Sequence, residues 1–369
     1  MNIIIFIVIL AILILAHEFG HFIVAKKSGI RVDEFGIGFP PKIWGKKFGE
    51  TEYTINALPF GGFVKIFGET PDEESISGST SSRSFVNQPK LIQVAVLSAG
   101  VFFNLLLAWF LLSSSLMLGT TFSSSSPLPN GVWTEKPVLT IIEVLKKSPA
   151  EKSGINIGDK IISYSESTDL SVSTNSTPEQ FQNFIATHGT HPVSILVDRG
   201  GSKKTITMTP VVGVTGNKPA IGIGMDMVGT MRLPFTLAVV EGAKFTALYT
   251  SETFKGIMGL LSASVRGKAN MSEVSGPVGI VKIVGEASKL GFERLLTLTA
   301  IISINLAVVN ILPIPALDGG RVFFVLIEAV KRSPIKPKFA NAVNTIGFFV
   351  LIALIIIITF SDIWKIIVG

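Results

Sequence analysis

The 369-residue sequence predicts a polytopic α-helical membrane protein that carries one soluble α/β domain. Its composition is 47% hydrophobic and only 16% charged, and its mean hydropathy is +0.55, which is typical of chains that cross a bilayer. A hydrocarbon core is spanned by about 20 mostly apolar residues. Four stretches meet this requirement, and we predict transmembrane helices at 1–25, 91–122, 295–318 and 339–361.

The first of these stretches carries a metal-binding pattern at its end, His17-Glu18-Phe-Gly-His21. No Lys or Arg precedes the stretch, so we expect a retained helix rather than a secretory signal peptide. On a helix, His17 and His21 stand one turn apart on the same face, so both imidazoles can bind one metal while Glu18 reaches a metal-bound water. The alternative is that these side chains form only the polar end of a membrane anchor.

Residues 26–90 suit β-hairpins better than a helix, because the segments 35–41 and 51–65 alternate β-prone runs with Gly and Pro. We predict a membrane-associated β-hairpin loop in this region. A loop that dips into the bilayer is tolerated only where protein or a water-filled cavity satisfies its backbone. An ordinary cytoplasmic hairpin is the alternative.

Residues 130–229 have the composition of a soluble α/β domain. The predicted elements are a strand at 138–144, a helical turn at 149–153, a turn that leads into a second strand over 158–164, an amphipathic helix at 178–187, and a hairpin of strands at 193–198 and 204–210. The following segment, 237–267, mixes apolar residues with Glu and Lys. It fits either a helix on the membrane surface or a packing helix of the soluble region.

Basic residues predict the orientation, because cytoplasmic loops near membrane helices are rich in Lys and Arg. Such residues follow the first span and precede the last one: Lys26, Lys27, Arg31, Lys42, Lys46 and Lys47, then Lys331, Arg332, Lys336 and Lys338. Both termini and the soluble domain are then expected on the opposite side. The net charge of +6 is explained by this topology, and no nucleic-acid partner is expected. The absence of Cys excludes disulfides, thiol nucleophiles and Cys-based zinc sites.

A third metal ligand is required, because catalytic zinc normally takes three protein ligands. The third apolar stretch ends in Asn310-Ile-Leu-Pro-Ile-Pro-Ala-Leu-Asp318-Gly-Gly, and Asp318 is the only charged residue between Arg294 and Arg321. The two prolines break the helix and the two glycines permit close approach, so Asp318 can be directed at the first helix. Alternatively, Asp318 caps the helix that begins near Arg321.

Together, the His17–His21 and Asn310–Gly320 motifs resemble the site-2 protease family of intramembrane zinc metalloproteases, in its bacterial branch with periplasmic PDZ domains. Further motifs of that family occur in the expected order: Phe35-Gly-Ile-Gly-Phe-Pro-Pro-Lys, Leu58-Pro-Phe-Gly-Gly-Phe-Val-Lys, Ala99-Gly-Val-Phe-Phe-Asn and Gly276-Pro-Val-Gly-Ile. The run Ser148-Pro-Ala-Glu-Lys-Ser-Gly-Ile-Asn-Ile-Gly-Asp-Lys-Ile is similar to part of a PDZ domain, so the resemblance implies a PDZ-like fold for 130–229.

This resemblance implies that His17, His21 and Asp318 bind Zn²⁺ and that Glu18 is the general base. The implied substrates are single-span membrane proteins that an upstream site-1-type protease has already trimmed, such as an anti-sigma factor or a signal-peptide remnant. The implied location is the lipid bilayer of a bacterial inner membrane, with the PDZ domain and both termini in the periplasm.

Substrate contacts are expected from two segments. The resemblance implies that Asn310 holds the substrate backbone, and we expect Gly61, Gly62 and Phe63 to pair with an unwound substrate by β-addition. Two other functions remain open. One is a non-catalytic scaffold with a structural metal, and the other is a metal transporter whose intramembrane His and Asp residues line a pathway.

Overall fold

The computed structural model describes residues 2–70, 73–123, 131–166, 176–214, 216, 218–267 and 276–368. The chain forms two compact units. The helical unit comprises Met1–Ser115 and Ala238–Gly369, and the β unit comprises Leu116–Leu237.

The helices that lie wholly or mainly in the helical unit are α1 (Asn2–Lys27), α2 (Glu73–Ser77), α3 (Lys90–Leu118), α6 (Phe235–Val265), α7 (Pro277–Leu290), α8 (Phe292–Ile311), α9 (Asp318–Lys331) and α10 (Pro337–Val368). Among the described helices, α1, α3, α8 and α10 contain segments long and apolar enough to cross a membrane, as predicted. Large apolar side chains cover the surface of α10, where Phe349 is 65% and Ile356 is 62% exposed. Such a surface is stable against lipid rather than water, so the protein is a multi-pass membrane protein.

Two of the predicted spans end earlier than expected. The helix predicted at 91–122 ends at Leu118, because Gly119 follows with a φ of +118° and residues 120–123 are extended. The helix predicted at 295–318 ends at Ile311, and Pro313 and Pro315 lie in the loop that follows. This loop is apolar, so hydropathy alone assigns it to the span.

The predicted hairpins form a sheet of two long antiparallel strands, β1 (Val32–Phe48) and β2 (Thr51–Ile66). Both strands bend, so each pairs twice: Phe35 lies opposite both Val64 and Tyr53, and Lys46 also lies opposite Tyr53. The sheet therefore has four segments, in the order 62–66, 32–37, 51–56 and 42–48. This order leaves segment 62–66 as an edge strand.

The turn between β1 and β2 is anchored to the end of α1. Arg83 donates hydrogen bonds of 2.6 and 2.8 Å to the two carboxylate oxygens of Glu50, and Lys26 donates a third of 2.8 Å. These bonds, those from Arg83 first, lower the pKa of Glu50 to about 2. This turn of the sheet is thus held at the end of α1.

Helix α6 lies along α3 and α8. The indole N–H of Trp109 donates to the Val239 carbonyl at 2.8 Å, and the Thr253 hydroxyl donates to the Asn305 amide oxygen at 3.1 Å. Asn305 is thirteen residues beyond Phe292, the first residue of α8, which corresponds to about 20 Å along the helix. Helix α6 therefore contacts α3 near its own start and contacts α8 past the middle of that helix.

The β unit contains a six-stranded antiparallel sheet in the order β3-β8-β4-β5-β6-β7. Its elements are β3 (Thr120–Ser123), β4 (Val132–Val144), α4 (Pro149–Lys152), β5 (Lys160–Ser165), α5 (Pro178–Thr187), β6 (Val193–Arg199), β7 (Ser202–Met208) and β8 (Ile223–Arg232). The predicted strands and helices are confirmed, whereas β3 and β8 were not predicted. Helix α5 covers the sheet and buries Phe181 completely against strand residues such as Ile141 and Ile195.

A buried ion pair stabilises the β unit. The Asp159 carboxylate, whose side chain is 1% exposed, accepts two hydrogen bonds of 2.7 Å from Arg199 and one of 3.0 Å from the Asn156 N–H. We expect Asp159→Ala to lower the free energy of unfolding of this unit by about 2 kcal/mol, because Arg199 and the Asn156 N–H lose their buried acceptor. Proteolysis of the full-length protein in detergent at rising temperature would measure the change.

Glu135→Ala is the matched control, because Glu135 forms an ion pair of 3.1 Å with Lys160 on the surface of the same unit. Its loss is expected to cost less than about 1 kcal/mol. Equal effects of the two substitutions would show that the burial of Asp159 contributes nothing.

Candidate metal centre

Helix α1 brings His17 and His21 together. The two residues are four positions apart, and both are 7% exposed. Their Nε2 atoms lie 3.2 Å apart, and the two rings meet edge to face. One turn of helix is enough to give this geometry, as the sequence predicted.

Asp318 reaches the histidines because α9 begins at this residue. The preceding loop is held by α10: the Asn344 side-chain oxygen accepts a bond of 3.3 Å from the Ala316 N–H, and a Cβ on Gly347 would lie 2.5 Å from Pro315 Cβ. Ala316 has a φ of +73°, which turns the chain toward α9. The N-cap of α9 is Leu317, and no described side chain bonds there, so the helix-cap interpretation of Asp318 is wrong.

The three predicted ligand atoms form a triangle. Asp318 Oδ2 lies 2.9 Å from His17 Nε2 and 3.4 Å from His21 Nε2, and the two nitrogens are 3.2 Å apart. Two ligands bound to tetrahedral zinc at 2.0–2.1 Å are separated by about 3.3 Å. The triangle therefore has the size of one face of a zinc coordination tetrahedron.

The chemistry of these atoms also fits a cation. Asp318 Oδ2 is buried and accepts no hydrogen bond from any described residue. A buried carboxylate oxygen is costly unless a proton or a cation satisfies it. His17, His21 and Asp318 form the one group of three or more potential metal ligands found among the described residues.

Helix α3 provides a polar contact to the Nδ1 atom of each imidazole. His21 Nδ1 donates to the Val96 carbonyl at 2.8 Å, which leaves the lone pair of Nε2 directed at the triangle. His17 Nδ1 lies 3.2 Å from Nδ2 of Asn104, a fully buried residue whose Oδ1 has no partner among the described residues. With the amide turned so that Oδ1 faces the ring, it accepts the Nδ1 proton and fixes the same tautomer for His17.

Glu18 faces the edge strand of the β1–β2 sheet. Its Oε2 accepts a hydrogen bond of 3.1 Å from the Val64 N–H. Gly61 and Gly62 are buried at the same place, and a Cβ on Gly62 would lie 3.9 Å from Glu18 Cγ. Phe63 packs instead on Gly36 within the sheet. Glu18 is therefore next to both the triangle and segment 62–66.

Asn310 lies in the last turn of α8 and is half-buried. It forms no hydrogen bond with the described residues of the triangle. Its predicted role in binding substrate is therefore not tested by this arrangement.

Comparison with known proteins identifies the family. The family model for peptidase family M50 matches residues 5–354. The chain belongs to this family. A relative from Clostridium perfringens, named as a zinc metalloprotease, is 37% identical over 354 residues, which is 95% of each chain. A second, from Clostridium acetobutylicum, is 35% identical and covers 98% of this chain and 97% of its own. The zinc metalloprotease RasP of Geobacillus kaustophilus is 29% identical, and the match covers 99% of this chain and 98% of RasP.

The protein is thus a membrane zinc metalloprotease of family M50, which confirms the predicted enzyme class and the predicted Zn²⁺. These findings do not test which residues bind the ion. They fit the arrangement in α1 and α9, because His17, His21 and Asp318 all lie inside the matched region.

Sequence reasoning missed two contributions of α3 to the site of this M50 protease. Asn104 and Gly100 belong to the motif at 99–104, but the sequence alone predicts no role for either residue. A Cβ on Gly100 would lie 2.7 Å from His17 Nε2 and would overlap His21 Nε2. A Cβ on Gly20 would lie 2.5 Å from the Ala99 carbonyl. These two glycines let α1 and α3 approach closely at the triangle.

Proposed function

We propose that His17, His21 and Asp318 hold the zinc ion of this protease and that Glu18 is the general base for peptide hydrolysis. The observation that carries the proposal is the triangle of buried ligand atoms, in which Asp318 Oδ2 has no donor of its own among the described residues. When bound, zinc lowers the pKa of a coordinated water to about 7 and polarises the scissile carbonyl.

The role proposed for Glu18 is proton transfer. It directly follows His17 in α1, and its carboxylate interacts electrostatically with all three proposed ligands without belonging to their group. In this role it accepts the proton of the attacking water and passes it to the leaving amine. Until substrate binds, the Val64 N–H holds the carboxylate at 3.1 Å.

The proposed substrates are single-span membrane proteins cut in or near their transmembrane helix. A helix satisfies its peptide groups internally, so the segment to be cut must unwind and find new partners. The edge strand at 62–66 offers them. The Val64 N–H bonds Glu18 and so points away from the neighbouring segment 32–37. Backbone groups of an antiparallel strand alternate in direction from one residue to the next, so those of Gly62 also point away from that segment.

An unwound substrate would therefore add to this edge as a further strand beside Glu18. Gly61 and Gly62 are proposed to contact its backbone at this edge, and Phe63 to stabilise the edge from within the sheet. Asn310 is proposed to bond the substrate backbone on the α8 side.

The β unit is proposed to be a PDZ-like domain that faces the periplasm. A groove of about 310 Å³ lies between α5 and the start of β8, and its apolar lining includes Phe181, Ile185, Ile221, Ile223 and Met225. Such a groove fits the apolar C-terminal residue that an upstream protease exposes. If peptides with an apolar C-terminal residue bind this groove, the domain captures trimmed substrates. If cleavage rates depend only on the size of the substrate's outer domain, the domain instead excludes substrates with bulky outer domains.

The proposed orientation places the β1–β2 sheet and the loop after α9 in the cytoplasm of a bacterial cell, with both termini and the β unit outside. Because the sequence has no Cys, single Cys residues can be introduced without a background. Labelling by an impermeant thiol reagent should reach a Cys at position 203 but not one at position 46. The reverse pattern would overturn the orientation.

The proposed activity is tested by removing and returning the metal. Full-length protein in detergent is incubated with a tagged single-span substrate whose outer domain has been removed. We expect a chelator to stop cleavage and about one equivalent of zinc to restore it. If several pretrimmed substrates stay intact although zinc is bound, the scaffold interpretation gains support. Zinc flux into vesicles would support transport.

A further inference from the structure

The helical unit contains a cavity of about 810 Å³ that the hydrolysis does not use. It lies where α3 begins, α9 ends and α10 begins, and its lining comes from residues 68–97 and 321–344. None of the three proposed zinc ligands lines it, nor does Glu18. Much of its wall is apolar and includes Phe85, Leu97, Phe324 and Val325.

The charges that line the cavity are unbalanced. It is lined by four basic side chains and two carboxylates. Lys90 pairs with Glu328 at 2.6 Å, and Arg321 pairs with Glu69. Arg332 and Lys336 have no ion-pair partner in the part of the chain that the structure describes. The cavity therefore offers two uncompensated positive charges to an anion.

The loop that carries these two cations is fixed in place. Arg332 ends α9 with a φ of +56°, and the N–H of Ile335 donates to Glu328 Oε1 at 2.8 Å. The same carboxylate group accepts from Lys90 through its other oxygen. An anion that binds between Arg332 and Lys336 would therefore order little additional backbone, which favours binding.

The cavity adjoins the lipid-facing surface. Val330, in the last turn of α9, is 86% exposed, and Phe339, near the start of α10, is 59% exposed. The apolar segment of α10 that can cross a membrane begins at Lys338. Arg332 and Lys336 therefore lie close to the start of a membrane span, at the depth of the bilayer where lipid phosphates are found.

We propose that this cavity binds an anionic phospholipid, whose phosphate pairs with Arg332 and Lys336 and whose acyl chain lies along Phe324 and Val325. Basic pockets between helices at a membrane surface recognise such headgroups. A small soluble anion would use the two cations but not the apolar wall, so the combination of both favours a lipid. An acidic peptide segment of a substrate would also leave the apolar wall unused.

The proposal is tested by measuring how tightly full-length protein in detergent holds fluorescent phosphatidylglycerol. We expect the double variant R332Q/K336Q to bind it about thirty-fold more weakly than wild type, since each basic residue near an anionic headgroup contributes about a fivefold factor. The matched control is K46Q/K47Q, which removes the same charge from β1, outside the cavity, and should change binding less than twofold. Zinc content and thermal unfolding of each variant show whether the fold is retained.

Competition distinguishes the ligand. Unlabelled phosphatidylglycerol should displace the probe, whereas phosphatidylcholine and inorganic phosphate should not. Equal weakening in both double variants would overturn the site in favour of general surface attraction. Displacement by inorganic phosphate alone would indicate a simple anion site, and displacement by an acidic peptide alone would indicate a peptide site. Because lipid binding is measured without substrate, these outcomes do not depend on the proposed proteolysis.

Discussion

The Glu18→Gln variant is expected to cleave a pretrimmed single-span substrate about 10² to 10⁴ times more slowly than wild type, with its zinc content unchanged. Gln has the shape of Glu, and its amide oxygen can still accept the hydrogen bond from the Val64 N–H that Glu18 receives at 3.1 Å. It cannot accept a proton from water. The substitution therefore removes the proposed chemistry and keeps the packing.

The control is Glu252→Gln, which neutralises an exposed carboxylate on α6 that pairs with Lys255 at 2.9 Å. Its cleavage rate should stay within about twofold of wild type, because a surface ion pair of this kind contributes little. Cleavage and metal content are measured on the same preparations. A Glu18→Gln protein that holds zinc and cleaves at the wild-type rate would show that another group is the base.

The parts of the site that the sequence predicted are those fixed by local geometry. The approach of His17 to His21 requires only one turn of helix, and this is a property of any α-helix. Asp318 was identified because a lone charge in an apolar stretch is conspicuous and zinc needs a third ligand. In the β unit, alternating residues and turn sequences predicted the strands from β4 to β7, since each pattern lies within its own strand.

The parts that were missed depend on contacts between distant segments. Asn104 is 87 residues from His17, and an Asn in an apolar helix does not indicate which ring it meets. The double pairing of β1 with both halves of β2 depends on where the strands bend. Gly38, with a φ of +79°, marks one bend, and a Cβ there would lie 2.6 Å from the Leu58 carbonyl. A Gly in the sequence signals a possible turn without specifying its partner.

The helix ends were missed for a different reason. Hydropathy counts Leu312, Ile314 and Leu317 as parts of the third span, although they belong to the loop that aims Asp318. An apolar loop is stable there because α10 supplies its polar partner, the Asn344 side chain. The sequence predicted that Pro313 and Pro315 break the helix and direct Asp318, and the packing of α10 adds the polar partner that makes this apolar loop stable.

Adding a single methyl group at Gly100 is expected to remove zinc from the protein. In Gly100→Ala, the new Cβ would lie 2.6 Å from His17 Cε1 and 2.7 Å from His17 Nε2, and it would overlap His21 Nε2. Either the rings turn away from Asp318 or α3 moves away from α1. We expect the zinc content to fall below a tenth of wild type and cleavage to fall at least as far, because displaced rings no longer form the triangle.

Gly256→Ala is the matched control for this loss. It makes the same chemical change within α6, where a Cβ would meet no atom within 4 Å. Ala favours a helix over Gly by about 1 kcal/mol, so neither substitution weakens its own helix. If only Gly100→Ala loses zinc, and the β unit of both variants unfolds at the normal temperature, the imidazoles are the part of the protein that the new methyl group disturbs. Full zinc occupancy in Gly100→Ala would show that the two helices separate at little cost, and the close approach of α3 would then have no part in forming the centre.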